Sequence, residues 1–241
     1  MKDRILFLEN DFCVVLKKVG EVCERTHKEN QVSLPCIMQA AVEAELGKKC
    51  EIFECVNRLD CPVSGAVLIA HTKSVFAKLT NILHNSRDVA KTYWAIVEKK
   101  ENLLQTGEKD RIEQYICFNT AKQKAFVKEQ ETSPGAKWKR AVLEYEVIGA
   151  GDNYVYLSVN LLTGRTHQIR AQLVSKGMHI KGDVKYGARR ADSLPGIRLH
   201  AAVLSFPHPV TGSIVSVTAA LPQTDALWES FLAAVNEAAQ K

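Results

Sequence analysis

The chain has 241 residues, 46% of them hydrophobic and 24% charged, and a formal net charge of +5. This length is enough to bury a full hydrophobic core and excludes a mini-protein, while the composition excludes a chain that is disordered beyond its loops and ends. The modest positive charge permits nucleic-acid binding without establishing it, since many unrelated enzymes are equally basic.

The N-terminal third is predicted to hold a β-hairpin, a helix and a buried strand. Ile5 to Leu8 and Phe12 to Leu16 form the hairpin. The helix covers 37–46, where helix propensity is high, and Gly47 stands where a C-terminal cap belongs. Gly65 to Ala70 then reads as the buried strand.

The middle of the chain is predicted to hold a second helix and a run of strands. Ser74 caps this amphipathic helix, which ends near Leu83. Lys91 to Glu98 alternates with period two and places Tyr93 and Trp94 on opposite faces of a strand. Further strands are expected at 111–118, 122–128, 140–149 and 154–161, with polar, exposed loops at 99–110 and 129–139.

A short helix is predicted after the last of these strands. Thr166 is its expected cap and Gly177 its stop. The helical spacing puts His167 and Arg170 on one shared face.

Two strands, near 198–206 and 214–219, and a helix from about Thr224 complete the pattern. Strands outnumber helices and follow one another along the chain. The predicted fold class is therefore α+β, with a mainly antiparallel mixed sheet and flanking helices.

Two segments stand out for their chemistry. Asn57-Arg58-Leu59-Asp60, followed by Ser64-Gly65, carries a carboxylate in a loop that enters a buried strand, which is a rigid mount for a catalytic side chain. Thr163 to Arg170 combines arginines, a histidine and an amide, and so many donors at a helix start are best explained by an anionic ligand. The alternatives without a function are a surface ion pair for the first segment and a solvated basic helix start for the second.

The stretch 165–198 is strongly basic, with Asp183 and Asp192 as its acidic residues. We expect it to form a cationic surface that neutralises phosphates. Its basic residues are Arg165, His167, Arg170, Lys176, His179, Lys181, Lys185, Arg189, Arg190 and Arg198.

The seven cysteines show no Cys-x-x-Cys pair and no spacing typical of zinc, so we expect reduced thiols and no metal. Cys61, beside Asp60, is expected to be a small packing residue. No signal peptide or membrane-length apolar run is present, and a cytoplasmic protein is expected. Histidines without ligand-like spacing are expected to be structural or surface residues: His71, His84, His200 and His208.

Taken in order, these segments resemble the RluA-type family of RNA pseudouridine synthases over nearly the whole chain. The family's motif His-Arg-Leu-Asp with Thr-Ser-Gly stands here as Asn57-Arg58-Leu59-Asp60 with Val63-Ser64-Gly65. The family's Lys-Pro-x-Gly appears as Lys17-Lys18-Val19-Gly20, which is a departure. Further matches are Lys91-x-Tyr93-x-Ala95, Gly164 to Arg170, Gly177, Gly182-Asp183 and Tyr186-Gly187.

The resemblance implies an isomerase that converts specific uridines in ribosomal or transfer RNA to pseudouridine without a metal or organic cofactor. It assigns Asp60 as the catalytic carboxylate, Tyr93 as the ring packed against the target base, and Arg170 as the cation paired with Asp60. It also suggests that Arg58 fills the space that the flipped nucleotide leaves. The residues expected to bind the RNA are Arg58, Arg165, His167, Gln168 and Asn57.

Physical chemistry agrees with these roles. An ionised carboxylate can attack the ribose C1′ or assist proton removal, and pairing with Arg170 would keep Asp60 charged in a dry pocket. Both roles stay open. The target base must leave its stack at a cost of a few kcal/mol, and Tyr93 offers it a stacking surface.

Two departures lie beside the carboxylate. Asn57 replaces the family's usual His and Val63 its usual Thr, and either change could alter substrate choice or loop geometry. Activity is expected because Asp60, Tyr93 and Arg170 remain. We also expect one catalytic domain over 1–241, without an N-terminal RNA-binding domain of the S4 type, and a monomer.

Two other functions compete with the synthase. A non-catalytic RNA-binding protein could keep the fold, although it would not need the set of Asp60, Tyr93 and Arg170. A hydrolase, such as a glycosidase or phosphodiesterase, is the more distant alternative. A glycosidase normally uses two carboxylates, and the motifs place no second one beside Asp60.

Overall fold

The computed structural model describes residues 1–26, 31–99, 105–130 and 137–238, which form two compact units. Unit 1 comprises Met1–Lys91 and His200–Pro222, and unit 2 comprises Thr92–Leu199 and Gln223–Lys241. In chain order the elements are β1 (Ile5–Leu8), β2 (Phe12–Lys17), β3 (Glu21–Val22), β4 (Val32–Ser33), α1 (Leu34–Leu46), β5 (Glu54–Cys55), β6 (Ser64–Ala70), α2 (Lys73–Asn85), β7 (Ala90–Glu98), β8 (Lys109–Asn119), β9 (Lys124–Lys128), β10 (Lys139–Ala150), β11 (Tyr154–Leu161), α3 (Gln168–Ser175), β12 (Leu199–Pro207), β13 (Ile214–Thr218) and α4 (Ala226–Ala238).

Unit 1 is built around β6, which pairs antiparallel with β2 and parallel with β12. The hairpin partner β1 extends the sheet beyond β2, while β5 and β13 pair antiparallel with β6 and β12. All seven residues of β6 are buried, as expected for a strand covered on both faces. Helix α2 packs its apolar stripe, Val75, Leu79 and Leu83, into the core beside Leu68 and Phe206.

Unit 2 contains an antiparallel series of strands in the order β7, β11, β10, β8 and β9. One face of the β8–β9 hairpin is buried by α3 and the single-turn helix Val184–Tyr186, around Ile116, Ala125 and Ala171. Helix α4 is anchored by Phe231, whose ring contacts Trp94, Tyr156 and Trp228. The α+β class with a mainly antiparallel mixed sheet is therefore confirmed.

Most predicted elements are confirmed within a few residues, but two helix caps were wrong. The α2 cap is Thr72, whose hydroxyl accepts a hydrogen bond from the Val75 N–H at 3.3 Å, and Ser74 lies inside the helix. The α3 helix begins after His167 rather than at Thr166, and no side chain caps it. Helix α1 starts at Leu34, earlier than expected, because Ser33 accepts a hydrogen bond from the Cys36 N–H.

The predicted exposed loops at 99–110 and 129–139 fall partly outside the described residues, at 100–104 and 131–136. Among the described helices, none combines the length and the apolar character needed to cross a lipid bilayer.

Candidate functional site

Asp60 lies in unit 1, half-buried in the turn that connects β5 to β6. Its carbonyl oxygen accepts a hydrogen bond from the Val63 N–H at 2.9 Å, which closes the turn. Leu59 and Val63, on either side, are 7% and 2% exposed and anchor the turn in the core. The prediction that Asp60 lies in a loop entering a buried strand is thereby confirmed.

Lys17 ties this turn to the end of β2. Its side chain is completely buried, and its ammonium donates to the carbonyl oxygens of Asp60 at 3.2 Å, Cys61 at 3.3 Å and Val63 at 2.6 Å. A fourth carbonyl, that of Lys18, lies 3.1 Å away. Burial lowers the pKa of Lys17. The sequence reasoning missed this role, although a lysine that ends an otherwise apolar strand was the available signal.

Lys18 stands where the family's Lys-Pro-x-Gly motif has proline, and its backbone makes a contact that accounts for the difference. The Lys18 backbone N–H donates to the Glu21 carboxylate at 2.8 Å, a bond that proline cannot make. Glu21 is itself buried and accepts from the Arg4 guanidinium at 2.6 Å. A residue other than proline at this position therefore helps to satisfy a buried carboxylate near Lys17.

The predicted RNA-binding residues before Asp60 differ in their surroundings. The Asn57 amide is engaged with β6, since its oxygen accepts from the Leu68 N–H at 2.7 Å and its nitrogen donates to the Ala66 carbonyl at 3.3 Å. Arg58 is exposed and forms a 2.9 Å surface ion pair with Glu24. Such pairs contribute little stability, so Arg58 can exchange Glu24 for a phosphate at low cost.

The start of β6 is fixed by a buried histidine on β12. The Ser64 hydroxyl lies 2.8 Å from His200 Nδ1, and His200 Nε2 lies 2.9 Å from the Ala219 carbonyl oxygen. Because Nε2 must donate to that carbonyl, Nδ1 accepts from Ser64. Burial lowers the pKa of His200 to about 4, so the ring is neutral near pH 7. The expectation of a structural histidine is confirmed.

Gly65, which follows Ser64, is required by a close approach of two backbones. Its φ is 132°, and a Cβ atom would collide with the backbone of Ala201, its parallel partner on β12. Asp60 is therefore mounted on a strand whose first residues are held by side-chain hydrogen bonding and by close packing.

The second predicted segment lies in unit 2, where Arg170 is 5% exposed. Its Nε and Nη2 atoms donate to the Asp183 carboxylate at 2.7 and 2.8 Å. The guanidinium also lies over the Tyr186 ring, 4.8 Å from its centroid. Asp60 and Arg170 belong to different units, and their pairing stays a prediction.

Tyr186 also orients His167. The Tyr186 hydroxyl accepts from the Ala125 N–H at 2.7 Å and lies 2.9 Å from His167 Nδ1. His167 has a left-handed backbone with φ of 57°, which directs the chain into α3. His167 precedes α3 and therefore does not share a helical face with Arg170 as predicted, although both side chains contact Tyr186, a residue that the sequence reasoning did not place in the site.

Gln168 is 2% exposed and acts as a structural residue. Its oxygen accepts from the Thr163 hydroxyl at 2.8 Å and from the Arg165 N–H at 3.0 Å. Its nitrogen donates to the Val142 carbonyl at 3.1 Å and to the Gln172 side chain at 3.0 Å. These bonds use the full hydrogen-bonding capacity of the amide, so Gln168 has none left for RNA.

The stretch 165–198 is only in part the cationic surface that we expected. Arg198 is 2% exposed and bonds to Asp192 and Asp225, and Lys181 forms a 2.9 Å ion pair with Asp192. Although burial opposes it, hydrogen bonding from Arg198 and Lys181 keeps the pKa of Asp192 below its ordinary value. Together with Arg170, these cations are neutralised inside unit 2. The exposed basic residues are Lys176, Lys185, Arg189 and Arg190.

Tyr93, the predicted base-stacking residue, lies on β7 opposite Val159 of β11 and is 8% exposed. All seven cysteines are free, and Cys61 is exposed, contrary to the expected packing role. Within the described ranges, no group of three His, Cys, Asp or Glu residues is arranged to hold a metal ion.

The family model "RNA pseudouridylate synthase" matches residues 11–175. An uncharacterised RNA pseudouridine synthase of Bacillus subtilis is 32% identical over 168 residues, which cover 70% of this chain and 52% of the relative. The dual-specificity RNA pseudouridine synthase RluA of Salmonella typhi is 30% identical over 170 residues, covering 66% of this chain and 69% of the relative. A relative from Mycoplasma genitalium is 31% identical, and the chain spans 63% of its length.

Among solved structures, "Human RNA Pseudouridylate Synthase Domain Containing 4" superposes with a TM-score of 0.71 at 19% identity, covering 97% of this chain and 92% of that one. "Human RNA Pseudouridylate Synthase Domain Containing 1" superposes with a TM-score of 0.65 at 22% identity, covering 96% of this chain and 94% of that one. At these identities the likeness establishes the fold.

Proposed function

The chain belongs to the RNA pseudouridylate synthase family, and from this membership we propose that it converts uridine in RNA to pseudouridine. The observation that carries the proposal is the mounting of Asp60. Its backbone is held by Val63 and by the buried Lys17 ammonium, while the residue itself stays half-exposed. A carboxylate on so fixed a backbone suits a reaction that needs accurate placement at one atom.

The proposed reaction breaks the glycosidic bond between ribose C1′ and uracil N1, turns the base, and rejoins it to C1′ through C5. The C5 proton leaves, and N1 gains one, so no oxidant, metal or organic cofactor is required. Asp60 would serve either as the nucleophile toward C1′ or as the group that assists proton removal. Both roles need an ionised carboxylate.

We assign supporting roles to residues of unit 2. Tyr93 would pack against the flipped base, and Arg170 would pair with Asp60 and keep it charged. The two hydrogen bonds that Arg170 donates to the Asp183 carboxylate fix the plane of the guanidinium and support this assignment.

The proposed partner is a ribosomal or transfer RNA, and the RNA contacts that we retain are made by Arg58, Arg165 and His167. Asn57 would act through the shape of the turn, because its amide is bonded to β6. A single catalytic domain, a monomeric state and a cytoplasmic location stay predictions.

Tritium release from RNA labelled at uridine C5 tests the proposal. Unmodified RNA is incubated with wild type, Asp60→Ala and the control Asp88→Ala, which changes an exposed aspartate in unit 1. We expect wild type and the control to release tritium, and Asp60→Ala to release none while it binds RNA within a few-fold of wild type. RNA binding without release by wild type would favour the non-catalytic binder.

A further inference from the structure

The outer face of the β8–β9 hairpin carries aromatic and basic side chains together. Strand alternation places Phe126 and Lys128 on this face, while Ala125 faces α3 and is 2% exposed. The antiparallel register sets Tyr115 opposite Lys128 and Cys117 opposite Phe126. The exposed face of the hairpin therefore has a chemical character different from its buried face.

Lysines on this hairpin lie against aromatic rings. The Lys122 ammonium is 5.7 Å from the centroid of the Phe126 ring, and the Lys128 ammonium is 4.3 Å from that of Trp138. Phe126 nevertheless remains 40% exposed. An exposed ring bordered by cations offers both a stacking surface and phosphate contacts.

The charge of this surface favours an anionic partner. The segment from Thr120 to Lys128 contains three lysines and no acidic residue, and the exposed Lys139 on β10, which is separated from β9 by β8, adds a further cation. On the adjacent part of the sheet, by contrast, Arg140 and Arg111 are paired with Glu113. Three lysines against Glu129, the acid that follows Lys128, leave a net positive charge at the β9 edge, where the exposed ring lies.

We propose that the outer face of the β8–β9 hairpin, formed by Lys122, Phe126, Lys128 and Trp138, binds an unpaired segment of RNA. Single-stranded RNA fits because its bases can stack on aromatic rings without regard to sequence while its phosphates meet lysines. A regular duplex keeps its base faces covered and could use the lysines alone. This surface deepens the proposed function, on which it rests, by adding RNA contacts on β9 and outside the two motif segments.

Fluorescence anisotropy with a labelled single-stranded RNA of mixed sequence, and with a duplex of the same length, tests this proposal. The variants are Phe126→Ala and the double substitution Lys122→Gln/Lys128→Gln. The charge-matched control, Lys2→Gln/Lys109→Gln, removes two exposed lysines that form surface ion pairs with Glu45 and Glu146. Thermal unfolding of each variant verifies folding.

Phe126→Ala is expected to weaken binding of the single strand by roughly fivefold to a hundredfold, with little effect on the duplex. The double lysine variant should lower the slope of log K against log salt by about 1.4, while the control leaves it unchanged. Equal losses for single strand and duplex would overturn the proposal, as would wild-type affinity in Phe126→Ala. Wild-type affinity would leave the face open to another partner, such as an acidic protein surface.

Tritium release separates this inference from the proposed function. If wild type releases tritium, the hairpin variants should raise KM for RNA and keep kcat. Release by wild type with unchanged KM in both variants would overturn the hairpin surface and leave the synthase assignment intact. Weakened single-strand binding in a protein that releases no tritium would support the surface and remove the synthase assignment.

Discussion

The Arg170 guanidinium is held by the Asp183 carboxylate through hydrogen bonds of 2.7 and 2.8 Å, and both side chains are almost completely buried. Bidentate bonding fixes the plane of the guanidinium as well as its position. Asp183 stands thirteen residues after Arg170 in the sequence and follows a glycine with positive φ, Gly182. A residue outside the motif that contains Arg170 therefore determines how Arg170 is presented.

Substitution of Asp183 tests this dependence. Asp183→Ala should lower the free energy of unfolding by about 3–5 kcal/mol, because it leaves a buried guanidinium without its carboxylate. Arg170→Ala should be similarly severe. Urea unfolding measures both changes, and Glu113→Ala, which removes an exposed ion-pair partner of Arg140, is the control with an expected loss below about 1 kcal/mol. A loss below about 1 kcal/mol in Asp183→Ala would contradict the pairing argument.

Lys17 is expected to act on turnover through the backbone of the Asp60 turn. Lys17→Met keeps the volume but removes the ammonium donor. The Asp60 and Cys61 carbonyls keep the bonds that they accept from the Val63 and Gly20 N–H groups, so the main loss is the 2.6 Å bond to the Val63 carbonyl, which costs about 1–3 kcal/mol when that oxygen is left unsatisfied. We expect the free energy of unfolding to fall by about 1–3 kcal/mol and tritium release at saturating RNA to fall more than tenfold. Lys18→Met, in which the backbone N–H bond to Glu21 is retained, is the control. Normal kcat in a folded Lys17→Met protein would refute the positioning role.

The close approach at Gly65 predicts intolerance of any side chain. Gly65→Ala combines a strained φ of 132° with a collision against Ala201, and we expect a loss of stability above about 2 kcal/mol. Gly212→Ala is a matched control, since its φ is 75° and no atom lies within 4 Å of the added methyl group. Its cost should be limited to backbone strain of about 1–2 kcal/mol. Equal losses of stability in the two variants would show that Ala201 can move to accommodate the added methyl group.

His200 predicts a contribution to stability that depends on pH. Its pKa is about 4 in the folded protein against an ordinary 6.5, so between these values the unfolded chain binds more protons. Neutral His200 makes its full contribution to the free energy of unfolding above pH 6.5. This contribution, of up to about 3 kcal/mol, is lost as the pH falls toward 4.

Urea unfolding of wild type and His200→Gln across this range isolates the effect of His200 from that of other titrating groups. The difference between the two free energies should change with pH in the direction given above. A difference that stays constant from pH 7 to 4 would show that His200 titrates alike in both states.

Strand alternation and turn residues were sufficient to predict most strands and the α+β class. The helix caps were less predictable, because Thr72 and Ser74 are both good capping residues and only the backbone geometry selects between them. The site was predictable in part for a related reason. The family resemblance proposed roles for Asp60 and Arg170, but the contacts of Lys17 and Tyr186 join residues far apart in the chain, which no local motif reveals.

Charge counting also had a definite limit. Asp183 and Asp192 are the acidic residues in the basic stretch, and the sequence alone suggested that they were too few to matter. Both carboxylates form buried ion pairs, Asp183 with Arg170 and Asp192 with Arg198. These two arginines therefore do not contribute to the charge of the surface. Which cations face solvent is decided by burial, and the sequence does not report burial directly for long side chains.

The hydrogen bond between Ser64 and His200 joins residues 136 positions apart, and the strands that carry them pair in parallel. A ribosome delivers the chain from its N-terminus, so β6 emerges well before its neighbour β12 has been translated. Until β12 has been translated, β6 lacks its parallel partner, and Gly65 and its neighbours are unpaired on that edge. Nascent chains stalled before residue 200 should consequently leave the Asp60 turn open to proteolysis, and chains stalled after β12 has emerged from the ribosome should be protected there.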